Sequence, residues 1–249
     1  MKSKIKIIIL AAGKGLRIQS KLPKALVALK GKSMIKRLLE SVAKSGLDNK
    51  PVIVVGHKKE LVMRELGKNY NYVNQQNQLG TGHAVMMAKK YLKNSADHIV
   101  VLYGDHPFVK TETIKKITRE HIKSGKKITM ATVKLPDFQD WRIGFKNFSR
   151  IVRDENGRIV KDVQIKDASE KEKRITEVNP CYFCFETKWL WPKLETLKNN
   201  NAQKEYYLTD VIKLATEKGM EIESIEIEPH EALGANTKEE LEILEKFAV

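Results

Sequence analysis

The chain has 249 residues, 46 Lys and Arg against 31 Asp and Glu, and a formal net charge of +15. This length suits one large α/β domain, 1–249, that buries enough apolar surface to need no disulfide or metal staple. The lysines are spread over nearly every predicted helix without a long like-charged block, which argues against a nucleic-acid partner and for a small anionic ligand. The N-terminal apolar run is too short for a signal sequence or a membrane span, so a cytoplasmic location is expected.

Ile7 to Leu10 reads as a buried strand, and Ala11-Ala12-Gly13-Lys14-Gly15-Leu16-Arg17 as the loop it breaks into, closed by Leu22-Pro23-Lys24. A helix with apolar spacing follows from Ser33 to Ser45, stopped by Gly46. Next come a strand at Pro51–Gly56, a short helix through Leu66-Gly67, and a strand at Tyr70–Asn74. Thr81 is expected to cap a helix to about Leu92, before a strand at His98–Asp105 that ends on a carboxylate. Thr111 opens the next helix and Lys127–Lys134 forms the next strand. Alternating strands and helices predict a mixed, mostly parallel Rossmann-like sheet flanked by helices.

The rhythm changes at Leu135-Pro136, and about 136–207 reads as a small β-rich substrate or lid lobe within the domain. It holds a hairpin around Asp154–Gly157, a capping box at Ser169 and Glu172, a strand at Val178–Phe185 and a helix at Trp189–Leu197. A helix at Leu208–Lys218, a strand at Ile222–Ile227 and a helix capped by Thr237 with Glu240 complete the pattern. Cys181 and Cys184, the only cysteines, are too few for a four-ligand zinc site and lie on a predicted strand, as ordinary thiols.

The chemistry gathers where parallel sheets bind ligands, at the carboxyl ends of strands. Gly13 and Gly15 allow backbone N–H groups to face an anion, with Lys14, Arg17 and Lys24 adding charge. Asp105 and Asn236 follow two other strands and offer one anionic and one neutral oxygen, enough to hold Mg²⁺ against a triphosphate. In Gln78-Leu79-Gly80-Thr81-Gly82-His83-Ala84, the Gln78 amide can pair with a base edge, and the glycines allow close approach of a flat ligand.

These segments, together with Tyr103-Gly104-Asp105, Lys166-Asp167-Ala168, Glu177-Val178-Asn179, Glu205 to Asp210 and Gly234-Ala235-Asn236, resemble the sugar-phosphate nucleotidyltransferases. The likeness is greatest to the uridylyltransferase domain of the N-acetylglucosamine-1-phosphate uridylyltransferases and runs essentially the whole length. It implies uridylyl transfer from UTP to a sugar 1-phosphate with Mg²⁺ as cofactor. By that resemblance Leu10, Ala11, Ala12, Gly13, Gly15, Gln78, Gly80, Thr81, Tyr103 and Gly104 bind the nucleotide. Arg17 and Lys24 are catalytic, Asp105 and Asn236 hold the metal, and Ser149, Gln164, Asn179, Tyr207 and Thr209 meet the acceptor.

The departures fall on the acceptor side. Ser149 stands where the family has glycine, Gln164 where it has glutamate, and Asn179-Pro180-Cys181 where it has Asn-Thr-Gly; the stretch Phe138–Phe148 is longer than usual. These predict a changed phosphorylated acceptor. The acyltransferase β-helix of the bifunctional relatives is not expected. Two other readings are a cytidylyl- or thymidylyltransferase using a non-sugar phosphate, and a non-catalytic nucleotide- or RNA-binding module.

Overall fold

The computed structural model describes residues 3–15, 18 and 20–248. The apolar run forms β1 (Ile5–Ala11), followed by the short β2 (Ala28–Leu29) and β3 (Lys32–Ser33) and by α1 (Met34–Ser45). Gly46 closes α1 with φ of 67°, the left-handed stop that favours glycine. Next come β4 (Val52–Val55), α2 (Lys59–Leu66), β5 (Asn71–Asn74), α3 (Thr81–Met87), α4 (Lys89–Leu92), β6 (His98–Tyr103), α5 (Thr111–Ser124) and β7 (Ile128–Lys134). The expected helix from Thr81 is thus broken at Ala88, and Thr81 is its first residue, not its cap.

Strands β5, β4, β1 and β6 lie in that order and are all parallel. The chain winds one way from β1 through β4 to β5, then returns to β6 on the other side of β1. The switch point therefore opens between the carboxyl ends of β1 and β6, the place where such sheets bind ligands. Alternation along β1 feeds two cores. Ile7 and Ile9 pack with α1 and α5 through Leu38, Val42, Ile114 and Ile117. Ile8 and Leu10 pack on the other face with Val85 of α3 and with residues of later helices.

After β7 comes a 3-10 helix at Asp140–Asn147, which occupies the long stretch and was not foreseen from the sequence. Its anchor is Arg150, only 2% exposed. The guanidinium donates to the carbonyls of Phe145 (3.3 Å), Lys146 (3.0 Å), Phe148 (2.5 Å) and Lys173 (3.3 Å) and lies 4.5 Å from the Phe138 ring centre. Carbonyl dipoles thus take the place of a carboxylate around a buried cation. The hairpin forms as β8 (Ser149–Arg153) and β9 (Ile159–Val163), and Ser169 with Glu172 makes the capping box of α6 (Glu170–Lys173).

The strand expected at Val178–Phe185 is split into β10 (Glu177–Asn179) and β11 (Phe183–Glu186). Both run antiparallel to β7, but Glu177 faces Lys134 and Phe183 faces Met130, so β10 and β11 spend two more residues over this span than β7 does. The surplus lies at Pro180-Cys181-Tyr182, where Pro180 has no N–H to give and Cys181 has φ of 65°. At this bulge the sheet forks. Strand β6 borders β11, while β8 and then β9 extend from β10. The chain ends with α7 (Thr187–Leu194), α8 (Asp210–Thr216), β12 (Glu223–Glu226), which lies parallel to β7, and α9 (Lys238–Phe247). The sequence placed α7 two residues too late at its start. No described helix is long and apolar enough to cross a membrane.

Asn179 Oδ1 accepts from the Cys181 N–H at 2.6 Å and helps to hold the left-handed turn, at a position where the resembled family carries glycine. A left-handed L-residue costs about 1–2 kcal/mol, and the freedom glycine gains on unfolding offsets roughly half of that. Cys181→Gly should therefore raise stability by up to about 1 kcal/mol, read as a higher midpoint in chemical denaturation. A lower midpoint would mean that packing of the thiol outweighs the backbone strain.

Candidate functional site

A cavity of about 260 Å³ opens at the switch point. Its wall includes Leu10, Ala11, Ala12 and Gly13 from the end of β1, Tyr103 and Asp105 from the end of β6, and Lys24. Gln78, Gly80 and Thr81 close the opposite side. Ten of the residues expected at the nucleotide, catalytic and metal positions therefore share one cavity. Arg17 lies outside the described residues. Gly15 and Gly104 stand behind the wall. Gly15 has φ of +64°, and a Cβ there would lie 2.8 Å from Lys24 Cβ. At Gly104 a Cβ would press on Ala11 and Ile35 at 3.3 Å.

Lys24 is the hub of the polar edge. Its Nζ donates to Asn236 Oδ1 at 2.5 Å and pairs with the Asp105 carboxylate, both Lys24 and Asp105 side chains being 15% exposed. Burial alone would push the Asp105 carboxyl up; the Lys24 ammonium and its hydrogen bond reverse this, so the carboxyl ends below the usual range and is ionised at neutral pH. The loop carrying Asn236 passes so close that a Cβ on Gly234 would lie 2.6 Å from the His106 ring. The Tyr182 hydroxyl donates to Glu231 O at 2.9 Å, so the His106 Nδ1 at 2.7 Å carries the proton and donates to Tyr182. Burial lowers the His106 pKa to about 4 and keeps the ring neutral.

The Gln78–Ala84 motif is clasped to the segment Glu205–Leu208. Tyr206 N–H donates to Leu79 O and Gly82 N–H to Tyr206 O, each at 2.8 Å, and Thr81 Oγ1 accepts from Leu208 N–H at 2.9 Å. Gly80, at φ of +106°, leaves room for this contact, because a Cβ would stand 2.6 Å from Tyr206 O. Gln78 Nε2 donates to Gln75 O at 3.1 Å, which fixes the amide. Gln75, Ala25, Ala84 and Glu205 also line the cavity; sequence reading gave none of them a site role, although Ala84 and Glu205 fall within the quoted motifs. Gln75 is 3% exposed and gives its amide hydrogens to Gly80 O and His83 Nδ1, both at 3.0 Å. Its only signal was three residues' distance from Gln78.

The five expected acceptor residues do not line this cavity. Ser149 and Asn179 lie on the forked part of the sheet, Gln164 in the loop after β9, and Tyr207 and Thr209 in the segment before α8. Gln164 Nε2 donates to Thr209 Oγ1 at 3.0 Å, and Tyr207 Oη accepts from Gln203 Nε2 at 2.5 Å. Asn179 and Ser149 are partners across β10 and β8. Asn179 Nδ2 donates at 2.5 Å to Asp162 Oδ2, a residue of β9 that the sequence analysis passed over. The Asp162 carboxyl and the Ser149 hydroxyl lie against each other, with Asp162 Oδ1 and Ser149 Oγ both buried. Burial, with a smaller push from Asp210, raises the Asp162 carboxyl to about 7. Burial likewise raises Asp210 to about 6.

A sheet with a glycine loop at its switch point and a cation-bearing polar edge is the framework of a nucleotide-binding transferase. A family model described as the MobA-like NTP transferase domain matches residues 7–213, and the chain belongs to this family. It is accordingly a nucleotidyltransferase, as the motifs led us to expect. Among its relatives, the "Bifunctional protein GlmU" of Caldicellulosiruptor saccharolyticus is 36% identical over 251 residues, covering 99% of this chain and 52% of the relative. The protein of the same name from Clostridioides difficile is 40% identical over 244 residues, covering 97% and 51%. The chain thus spans about half the length of the curated relatives it matches.

Because the folded pKa of Asp162 lies above the ordinary value of 3.8, the protonated form is the one the fold favours. The stability contributed is complete at acid pH below the unfolded pKa and is lost as pH rises through about 7. Asp162→Asn removes this loss while leaving an oxygen for Asn179. Thermal denaturation should show the variant more stable than the parent near pH 8, with the difference shrinking toward about pH 4. A constant difference would detach the effect from ionisation.

Proposed function

We propose that the chain transfers a uridylyl group from UTP to a sugar 1-phosphate, N-acetylglucosamine 1-phosphate or a related acceptor, and releases pyrophosphate. One observation carries this reading: Asp105 and Asn236 converge on a single cationic centre, Lys24 Nζ, at the edge of the switch-point cavity. Two oxygens that already share one cation can share another. The set contains a single carboxylate, and no cluster of three or more His, Cys, Asp or Glu suited to a metal occurs among the described residues. That composition fits Mg²⁺, which takes few protein oxygens and completes its shell with phosphates and water. Asp105 and Asn236 would hold the ion, and it would supply positive charge against the triphosphate.

The remaining steps belong to the chain. An acceptor phosphate oxygen attacks the α-phosphorus in line, and the bond from that phosphorus to the oxygen bridging to the β-phosphorus breaks. The electron pair leaves with pyrophosphate. The attacking phosphate is already anionic at neutral pH, so no base is needed. Lys24, released from its two oxygens, turns its ammonium to the phosphates, and Arg17 shares the task. Gly13 and the small residues Ala11 and Ala12 let the nucleotide lie against backbone, and the lobe at about 136–207 brings the acceptor. With one Nε2 hydrogen given to Gln75 O, the Gln78 amide keeps its other hydrogen for a carbonyl and Oε1 for the N3–H of uracil.

A pyrophosphate-release assay with nucleoside triphosphates and sugar 1-phosphates tests the reading. Lys24→Ala should lower turnover by about 10²–10³-fold, the usual loss of one preorganised charge-stabilising donor. A folded variant with near-parental turnover would remove Lys24 from the reaction. UTP should exceed CTP in kcat/KM, since cytosine reverses the donor and acceptor order and leaves polar groups unpaired at about 1–3 kcal/mol each. Equal use of the two would overturn the assignment of the base.

A further inference from the structure

Glu240 is a buried carboxylate with no cation beside it. It occupies the third position of α9, is 7% exposed, and takes part in no ion pair among the described residues. Withdrawing such a group from water is costly unless donors meet it. The donor here is the backbone N–H of Asn236, which reaches Glu240 Oε2 at 2.5 Å.

That partner is not the one local rules supply. A glutamate at the third helical position ordinarily turns back to the N–H of the N-cap residue. Glu172 does so in α6, accepting from Ser169 N–H at 2.8 Å. In α9 the N-cap is Thr237, and its hydroxyl accepts from Glu240 N–H at 3.2 Å as a cap should. The Glu240 carboxylate instead takes the N–H one residue earlier, that of Asn236. Asn236 is thereby held at both ends, since its amide oxygen accepts from Lys24 Nζ at 2.5 Å. Behind the carboxylate stands the 3-10 helix: a Cβ on Gly144 would lie 3.3 Å from Glu240 Oε1. The carboxylate is clamped between that helix and α9, and Asn236 is hung from it.

We propose that Glu240 is a positioning residue for the metal: by holding the Asn236 N–H it sets the direction of the Asn236 amide oxygen, one of the two oxygens assigned to Mg²⁺. This rests on the metal assignment above and extends it to a residue that itself contacts neither ion nor substrate. Asn236 precedes the helix, so no helical hydrogen bond fixes its peptide, and Glu240 does this instead. A carboxylate suits the task, because a charge-assisted hydrogen bond is shorter and stronger than a neutral one. The first turn of a helix also favours negative charge.

The test titrates Mn²⁺ into the full chain with UTP and reads water-proton relaxation, which separates protein-bound Mn²⁺ from Mn²⁺ on free UTP. Glu240→Ala should raise the Mn²⁺ dissociation constant about tenfold, the lower end of what loss of a ligand-orienting group costs. The Mg²⁺ concentration for half-maximal pyrophosphate release should rise in step, with kcat at saturating Mg²⁺ close to the parent's. Glu240→Gln, whose Oε1 still accepts from Asn236 N–H, should return both constants to within about threefold of the parent. If Glu240→Ala does not fold, Glu240→Asp keeps the charge at the helix start but falls short of Asn236, and should show the same loss. Because Glu240 acts through the Asn236 side chain, adding Glu240→Ala to Asn236→Ala should weaken Mn²⁺ no further. Parental Mn²⁺ affinity in the folded variant, no rescue by Glu240→Gln, or an additive double variant overturns the positioning role while the metal assignment stands. If Asp105→Asn and Asn236→Ala both bind Mn²⁺ as the parent does, the metal assignment fails and the proposal with it.

Discussion

The Lys24 ammonium is the tie on which the rest of this structure depends. It joins residues 24, 105 and 236, which come from the glycine loop, the end of β6 and the turn before α9. Each segment reaches that point because a glycine clears the way. A side chain on Gly15 would strike Lys24 itself, and one on Gly234 would strike His106. The ion pair is mostly shielded from water, so it would be expensive if either partner were left alone. Here the third member, a neutral amide, completes the ammonium's bonds, and the carboxylate remains ionised in spite of burial.

Much of this was legible in the sequence because it rests on local rules. The β-branched run that became β1, the glycine loop and the polar residues at strand ends follow from pattern and backbone geometry alone. Gly46 as a helix stop and Ser169 with Glu172 as a capping box are similarly local. What escaped depends on contacts distant in sequence. Thr81 was read as a helix cap, yet its hydroxyl is taken by Leu208, 127 residues away. Thr237 does accept from Glu240 N–H, but the Glu240 carboxylate goes to the N–H of Asn236 instead of completing a box. Asp162 carried no motif at all; only the register of β8, β9 and β10 puts it beside Asn179 and Ser149.

The bulge between β10 and β11 explains why substitutions of different kinds meet in one region. Two extra residues let the sheet fork, and the fork sets Asn179, Cys181 and Ser149 around Asp162. The left-handed Cys181 is the local cost of that geometry, and the Asx-type bond from Asn179 offsets part of it. Arg150, one residue from Ser149, fixes the other side of the fork by gathering carbonyls from the 3-10 helix and α6.

The clasp between Leu79–Gly82 and Tyr206–Leu208 has a mechanical side. Three hydrogen bonds and a glycine with no room for a side chain weld the segment Leu79–Gly82 to the segment that carries Tyr207 and Thr209. A hinge needs a stretch of backbone free to change its dihedral angles, and none lies between welded strips. Any movement of one strip must therefore carry the other with it as one plate, with the bend placed elsewhere. In the proposed reaction, nucleotide and acceptor would then be presented to each other by a shared floor of fixed spacing.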